Sequence, residues 1–286
     1  MKILLLYFTG TYSTLYITTL IKNQLTKNDH EVDVFPLSEK RNIPTNKYDI
    51  VGIGYPIHAF NAPKIVEDKI AKYKIENKKY FIYKVSGEPY KYNNASSYKL
   101  IKMLNKKDNE FLGEYHYLMP YNILFKTKQE FIKYEMTYNV KYIKYMCDNL
   151  LTIKPYKVTL FERFITFIFK IQRLGCKVNS RNYKVDKTKC IRCRKCITSC
   201  PSKNIEYQWT KKKIVFKDKC IMCMRCAFMC PTNAINIGLL EKYKVNGPYD
   251  FLSINSLENT YDINKETSKF YKKFKPYFEY IDGLTK

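Results

Sequence analysis

Short apolar runs alternate with stretches of helical periodicity over the first 150 residues of the chain. The runs at 3–8, 49–55 and 80–85 are mostly apolar and are followed by Thr-Gly, Pro and Ser, respectively, which is typical of buried parallel strands. Between the runs, residues 13–25 and 64–73 carry apolar side chains at mostly helical spacing. This strand–helix order predicts an α/β fold with a doubly wound parallel sheet.

Further strands and helices are predicted between and after these runs. The pattern predicts a strand at 32–35, a helix at 95–104, a strand at 113–125 interrupted by Pro120, and a helix at 129–150. An amphipathic connecting helix is predicted at 155–175, stopped by Gly175. We expect its apolar side chains to pack in a core, and a role at a membrane surface is the alternative. Residues 239–286 form a nearly neutral tail, whose aromatic side chains we expect to pack on the other domains.

A cysteine run occurs twice, with an offset of thirty residues, and each run ends at a proline. The first run is Cys190, Cys193, Cys196 and Cys200, and the second is Cys220, Cys223, Cys226 and Cys230. In this C-x2-C-x2-C-x3-C-P spacing, the fourth cysteine of each run binds the cluster of the other run. We therefore predict two 4Fe–4S clusters, one on Cys190, Cys193, Cys196 and Cys230 and the other on Cys200, Cys220, Cys223 and Cys226.

A zinc site or a disulfide knot is the alternative, although zinc prefers two separated pairs of ligands. The remaining cysteines, Cys147 and Cys176, are interpreted as a core residue and a loop thiol. Basic side chains stand between the ligands, for example Arg192 and Arg225. Positive charge beside a cluster favours its reduced, more negative form, unless these side chains point to water.

Hydroxyl side chains gather where the first strand meets the first helix, at Thr9, Thr11, Ser13 and Thr14. Hydroxyls and backbone N–H groups at a helix N-terminus bind anions. No lysine follows, which excludes a Walker loop, so the segment suits a phosphate monoester such as that of FMN. A Ser/Thr-rich helix cap has a similar sequence and is the alternative.

This segment resembles the phosphate loop of flavodoxins, with Tyr12 where glycine is usual and Ser13 where asparagine is usual. The resemblance implies an FMN-binding, flavodoxin-like sheet of strand order 2-1-3-4-5, in which the loops after the third and fourth strands flank the flavin. Those loops supply the other predicted FMN-binding residues: Tyr55, Pro56, His58, Phe60, Ser86, Gly87 and Glu88.

Aromatic side chains in the same two loops have faces that stack on a flat ring. They are Tyr55, Phe60, Tyr90 and Tyr92. His58 is either a hydrogen-bonding partner of a ring carbonyl or a structural histidine.

Nearly the whole chain resembles the flavodoxin–ferredoxin fusion proteins of anaerobic bacteria. Beyond the loop and the cysteine runs, the match includes 87–89, 119–122 and 246–249. The resemblance implies four parts: a flavodoxin-like FMN-binding domain at 1–150, a helical linker at 151–182, a small α+β bacterial-type ferredoxin domain with two clusters at 183–240, and a tail at 241–286.

Positive charge is concentrated in the middle of the chain. The formal net charge is +25, and residues 151–240 contribute +16 of it, with 20 Lys and Arg against 4 Asp and Glu. Such a segment suits binding to an acidic protein, to nucleic acid or to an anionic membrane face.

No apolar run reaches the roughly 18 residues of a spanning helix, and the N-terminal run is too short for a signal peptide. We therefore expect a cytoplasmic protein, in which cysteines stay reduced.

These observations leave three hypotheses for the function. The first is an electron-transfer protein that passes electrons between the two clusters and FMN, and on to an acidic redox partner. The second is an FMN-dependent reductase of a small molecule, fed by its own ferredoxin domain; three histidines leave few acid–base candidates, so enzyme activity stays open. The third, remote hypothesis is an iron–sulfur nucleic-acid-binding protein, but the basic residues follow no such module, and we expect no nucleic-acid partner.

Overall fold

The computed structural model describes residues 1–39, 43–89, 91–151, 158–245 and 248–285. Within these ranges, five parallel strands form one sheet in the order β2-β1-β3-β4-β5. The strands are β1 (Lys2–Tyr7), β2 (Glu31–Pro36), β3 (Ile50–Pro56), β4 (Lys79–Ser86) and β5 (Glu110–Leu118). This is the strand order of the flavodoxin-like doubly wound fold, so the predicted fold and order are confirmed.

Helices cover both faces of the sheet. They are α1 (Ser13–Lys27), α2 (Lys64–Ile70), α3 (Tyr98–Asn105) and α4 (Gln129–Asp148). Ile3 and Leu5 of β1 pack with α1 and α4, whereas Leu4 and Leu6 pack with α2 and α3. Successive side chains of a strand point to opposite faces, so a strand covered on both sides must be apolar throughout, which explains the unbroken run at 3–8.

The strand predicted at 113–125 has the wrong bounds. β5 starts at Glu110 and ends at Leu118, two residues before Pro120, which has no N–H to donate to a neighbouring strand. The helix predicted from residue 95 also differs, because Lys91–Ser97 is a 3-10 helix and α3 starts at Tyr98.

The connecting segment forms two helices, α5 (Leu160–Phe169) and α6 (Gln172–Ser180). Its predicted start at 155–157 lies outside the described residues. α5 begins at a capping box, in which Thr159 and Glu162 bind each other's backbone N–H groups. The predicted stop at Gly175 is wrong, because this residue lies inside α6 with open space around it and the helix continues to Ser180.

The cysteine-rich segment is a small α+β unit, as predicted. Its strands form two antiparallel pairs, β6 with β9 and β7 with β8. Its elements are β6 (Lys184–Val185), α7 (Lys195–Thr198), β7 (Ile205–Gln208), β8 (Lys213–Phe216), α8 (Arg225–Phe228) and β9 (Ile235–Asn236). Tyr183, Phe228 and Ile237 are among the side chains buried in its core.

In the described part of the tail, three α-helices follow: α9 (Phe251–Asn255), α10 (Lys269–Lys272) and α11 (Lys275–Leu284). Phe274 and Phe278 are buried against Phe131 of α4, so this part of the tail covers the flavodoxin-like domain. Residues 246 and 247 of the segment 246–249 lie outside the described residues. Among the described helices, none combines the length and the apolarity needed to span a membrane.

Candidate cofactor site

A cavity of about 390 Å³ opens at the carboxyl edge of the parallel sheet, where doubly wound folds bind ligands. Its size falls within the roughly 300–1,000 Å³ of small-molecule sites. All the predicted FMN-binding residues except Tyr55 line it: Thr9, Thr11, Ser13, Thr14, Pro56, His58, Phe60, Ser86, Gly87 and Glu88. Residues of α6 and of the second cysteine loop also line it, so the cavity lies between the two domains.

Tyr55 is not among the residues that line the cavity. Its side chain is fully buried in the core under α2 and α3, with its hydroxyl 3.5 Å from Ser96 Oγ. The alternation along β3 directs Tyr55 inward, whereas Pro56 lies at the cavity. Tyr92 is also absent from the lining, and its ring packs edge-on against Phe60. Tyr90 lies outside the described residues.

The loop between β1 and α1 has a left-handed residue at its turn. Tyr12 adopts φ 73° and ψ −15°, a conformation that is unfavourable for a residue with a Cβ. The turn directs hydroxyls to the N-terminus of α1, where Thr11 Oγ1 donates to Asn122 Oδ1 at 2.8 Å. Thr9 Oγ1 and Thr14 Oγ1 are buried and have no partner among the described residues. Buried hydroxyls are normally paired, so these two are suited to an anionic ligand.

The end of β4 and the loop after it bring a hydroxyl and a carboxylate group to the cavity, those of Ser86 and Glu88. Glu88 Oε1 accepts from Lys273 Nζ at 2.7 Å, while Glu88 Oε2 is buried without a partner in the described chain. Burial raises the pKa of Glu88, and Lys273 offsets part of this shift. Gly87 allows the ring of Tyr121 to pack against the backbone of this loop, since a Cβ on residue 87 would lie 2.9 Å from the ring.

His58 faces the cavity from the loop after β3. Burial, together with the charge of Arg173, lowers the pKa of His58 to about 4, so the imidazole is neutral at neutral pH. It also forms a hydrogen bond with the backbone of Ile221, inside the second cysteine loop. His58 therefore connects the flavodoxin-like domain to that loop.

The eight motif cysteines gather around two small cavities of about 20 Å³ each. The first is lined by Cys190, Cys193, Cys196 and Cys230, and the second by Cys200, Cys220, Cys223 and Cys226. The fourth cysteine of each run thus lies with the first three of the other. This grouping coincides with the two ligand sets predicted from the spacing.

The two cysteine loops share an unusual backbone. Arg192 and Arg194 in the first, like Met222 and Met224 in the second, have positive φ values of 56°, 58°, 53° and 61°. Left-handed residues in such loops turn successive N–H groups towards one point and form nests that bind anions, including iron–sulfur groups. Backbone N–H groups also donate to sulfur, as from Ala234 to Cys230 Sγ at 3.2 Å.

The second cysteine loop lies directly against the hydroxyl-rich loop. A Cβ on Gly10 would lie 2.1 Å from the carbonyl oxygen of Cys223, so only glycine permits this approach. Arg225 donates to Thr9 O and, at 3.2 Å, to Ser199 O. Arg225 therefore joins the two domains and does not extend into water.

Several cavity residues were not predicted from the sequence. Gln172 and Cys176 of α6 line it, as do Ile221, Met222 and Met224. The interpretation of Cys176 as a loop thiol is wrong, because this residue lies on α6, where burial raises its pKa. The resemblance includes Asn122 only as part of the segment 119–122. These residues are distant in sequence from the hydroxyl-rich loop, so no local pattern indicates them.

Comparison with known proteins bears on both halves of the chain. Residues 182–231 match the family model of the 4Fe-4S dicluster domain. No match was found among curated proteins. The sheet order and the family match together define a flavodoxin-like domain joined to a 4Fe–4S dicluster domain.

Among solved structures, the chain is similar to oxidised Flavodoxin 2 from Bacillus cereus, with 16% identity, a TM-score of 0.41, and coverage of 52% of this chain and 97% of that one. A short-chain flavodoxin associated with a bacterial microcompartment has 13% identity, a TM-score of 0.41, and coverage of 53% and 97%. General stress protein 14 from Treponema denticola, solved in complex with FMN, has 12% identity, a TM-score of 0.41, and coverage of 52% and 99%.

Proposed function

We propose that this chain is an electron-transfer protein, which holds two 4Fe–4S clusters on its two cysteine sets and FMN in the cavity. The clusters exchange single electrons and FMN exchanges one or two, so together they supply conversion between one- and two-electron steps. The observation that carries the proposal is the contact of Gly10 with Cys223, because it brings the second cysteine set against the hydroxyl-rich loop, and Cys223 itself lines the cavity.

The residues of the cavity fit FMN. The hydroxyls of Thr9 and Thr14, which have no partner in the described part of the chain, are suited to donate to a phosphate monoester at the N-terminus of α1. Pro56, Phe60 and Gly87 line the cavity beyond that loop and offer apolar or unobstructed surface to a flat ring. Neutral His58 is placed to hydrogen-bond rather than to carry charge.

The surroundings of the two cysteine sets suggest where electrons enter. Cys193 of the first set is exposed, and Arg192, Arg194 and Lys195 beside it are exposed as well. The second set lies against the cavity through Cys223. We infer a route from an acidic partner to the first set, then to the second set and the cavity, because complementary charge brings such partners together.

Anaerobic purification with assays of iron, sulfide and released flavin tests this proposal. We expect about eight irons and one FMN per chain. Cys193→Ala should lose about half of the iron and keep the flavin, while Cys147→Ala, which lies outside both sets, should keep both. A chain that contains zinc and no flavin would contradict the proposal.

An FMN-dependent reductase of a small molecule is the second candidate function. It is favoured by an imidazole and a carboxyl group at the cavity, those of His58 and Glu88, and by Glu88 Oε2, which is buried without a partner among the described residues. Reoxidation of the reduced chain distinguishes the two functions. A reductase is reoxidised at a saturable rate by its small-molecule substrate, whereas a carrier is reoxidised efficiently only by a protein.

A further inference from the structure

The connecting helices α5 and α6 bury their polar side and expose their apolar side. Glu162, Thr166 and Asn179 are buried and belong to hydrogen bonds with the rest of the chain. Asn61 Nδ2 donates to Thr166 O at 2.9 Å, and Asn179 Nδ2 donates to Ile237 O at 3.1 Å. The prediction that the apolar side packs in a core is therefore wrong, because polar contacts hold these helices to the protein.

The opposite side is a continuous apolar surface. Leu160, Phe167 and Ile171 are 78%, 67% and 69% exposed. We call the whole surface the apolar face, and it consists of Leu160, Phe161, Phe164, Phe167, Ile168, Ile171, Leu174 and Val178. Lys170 and Ile171 keep right-handed helical angles between α5 and α6, so the face runs along both helices. Surface patches of this kind mark sites of interaction with proteins or membranes.

Basic side chains follow one edge of the apolar face. Arg163, Lys170 and Lys177 are seven residues apart, which at about 100° per residue places them along one side of the face. Glu162 is the one acidic residue at 158–182, and it is buried. The exposed charge of this segment is therefore entirely positive.

We propose that the apolar face docks on an anionic lipid bilayer, with α5 and α6 lying in the plane of the interface. Amphipathic helices with aromatic and aliphatic side chains on one side and Lys or Arg beside them bind such surfaces. Pairing with a second copy of the chain is disfavoured, because a two-fold interface places the same patch against itself and would bring like charges together.

Docking would place the cavity beside the membrane surface. Gln172 and Cys176 of α6 line the cavity, whereas Ile171, Leu174 and Val178 of the same segment belong to the apolar face. One helix, about 10–12 Å in diameter, thus separates the cavity from the lipid. The inference goes beyond the proposed function and does not depend on which cofactors are bound.

Vesicle flotation tests this proposal with the full chain purified anaerobically. We expect the chain to float with phosphatidylcholine vesicles that contain phosphatidylglycerol, and to float poorly with phosphatidylcholine alone. The double variant Phe164→Gln/Phe167→Gln should weaken binding by about tenfold or more, because two aromatic side chains no longer enter the interface. Leu252→Gln, at an apolar position that is 84% exposed on α9, should bind as the unaltered chain does.

A second double variant tests the basic side chains along the edge of the apolar face. Lys170→Gln/Lys177→Gln should weaken binding to the anionic vesicles by about tenfold or more and reduce its sensitivity to salt. The proposal is overturned if the chain does not float with anionic vesicles, or if both double variants float unchanged. It is also overturned if light scattering shows a dimer that Phe164→Gln/Phe167→Gln dissociates, since a second copy would then cover the face.

Discussion

Tyr12 shows how a single residue departs from a family pattern while the local backbone is kept. The residue takes the left-handed conformation that glycine adopts more easily, and its side chain is exposed. The turn is therefore retained with Tyr12 in place of glycine, and Thr9 and Thr14 line the cavity. The sequence shows the departure, whereas the accommodation of Tyr12 is visible only in the structure.

Removing one hydroxyl of this loop should weaken FMN binding. Thr14→Val keeps the shape of the side chain but deletes a donor to a charged phosphate, which contributes about 1.5–3 kcal/mol. We expect the dissociation constant of FMN, measured by quenching of flavin fluorescence, to rise by about ten- to a hundredfold. Thr19→Val is the matched control on α1, because its hydroxyl donates to Leu15 O. Equal affinities of the two variants would argue against a phosphate at Thr14.

At the scale of elements, β4 and β5 carry a buried polar network beneath the cavity. Lys84 Nζ lies 3.0 Å from Glu114 Oε2, and both side chains are buried. Two residues further along each strand, Ser86 Oγ lies 2.7 Å from His116 Nε2. Residues two apart share a face of a sheet, so the pairing of β4 with β5 brings these four groups together.

This network should make stability depend on pH through His116. Burial, together with the charge of Lys84, lowers the pKa of His116 to about 3, against about 6.5 in an unfolded chain. Between these values the unfolded state binds a proton that the folded state does not, so stability falls as pH falls, by up to about 1.4 kcal/mol per pH unit.

We expect the loss of melting temperature between pH 7 and pH 5 to be smaller in His116→Gln than in the unaltered chain, because Gln binds no proton in either state. His30→Gln, in the connection before β2, should keep the original pH dependence. The same pH dependence in His116→Gln would show that His116 does not set it.

At the scale of the whole molecule, the distribution of charge predicts the kinetics of electron entry. The basic excess is concentrated at 151–240, at +16, and it includes the exposed side chains around Cys193. Attraction between this surface and an acidic partner is screened when the ionic strength rises and the Debye length shrinks, to about 8 Å at physiological salt.

The rate of reduction by an acidic ferredoxin or flavodoxin should therefore fall as salt rises, by about tenfold or more across the accessible range. Arg192→Gln/Lys195→Gln should lower the rate at low salt and flatten its salt dependence. Lys102→Gln/Lys106→Gln removes the same charge at α3 and its C-terminal end, and should change neither. Salt-independent reduction of the unaltered chain would remove the case for an acidic partner.

Local patterns in the sequence determined the fold class and the two cysteine runs, and the resemblance of the hydroxyl-rich loop to that of flavodoxins implied the strand order. These features depend on side chains that are close in the chain: an apolar run decides a buried strand, and the spacing of Cys190 to Cys200 decides which thiols share a loop. The bounds of β5 and the end of α6 were less well predicted, because β5 ends two residues before Pro120, and Gly175 has open space around it and does not end α6.

Contacts between distant segments were decided by the tertiary structure alone. The inward side chain of Tyr55, the approach of Cys223 to Gly10, and the place of Cys176 beside the cavity all depend on how separate elements pack. The apolar face of α5 and α6 is the clearest case. Its periodicity in the sequence predicts an amphipathic helix, but only the hydrogen bonds of Thr166 and Asn179 decide that the polar side faces the protein.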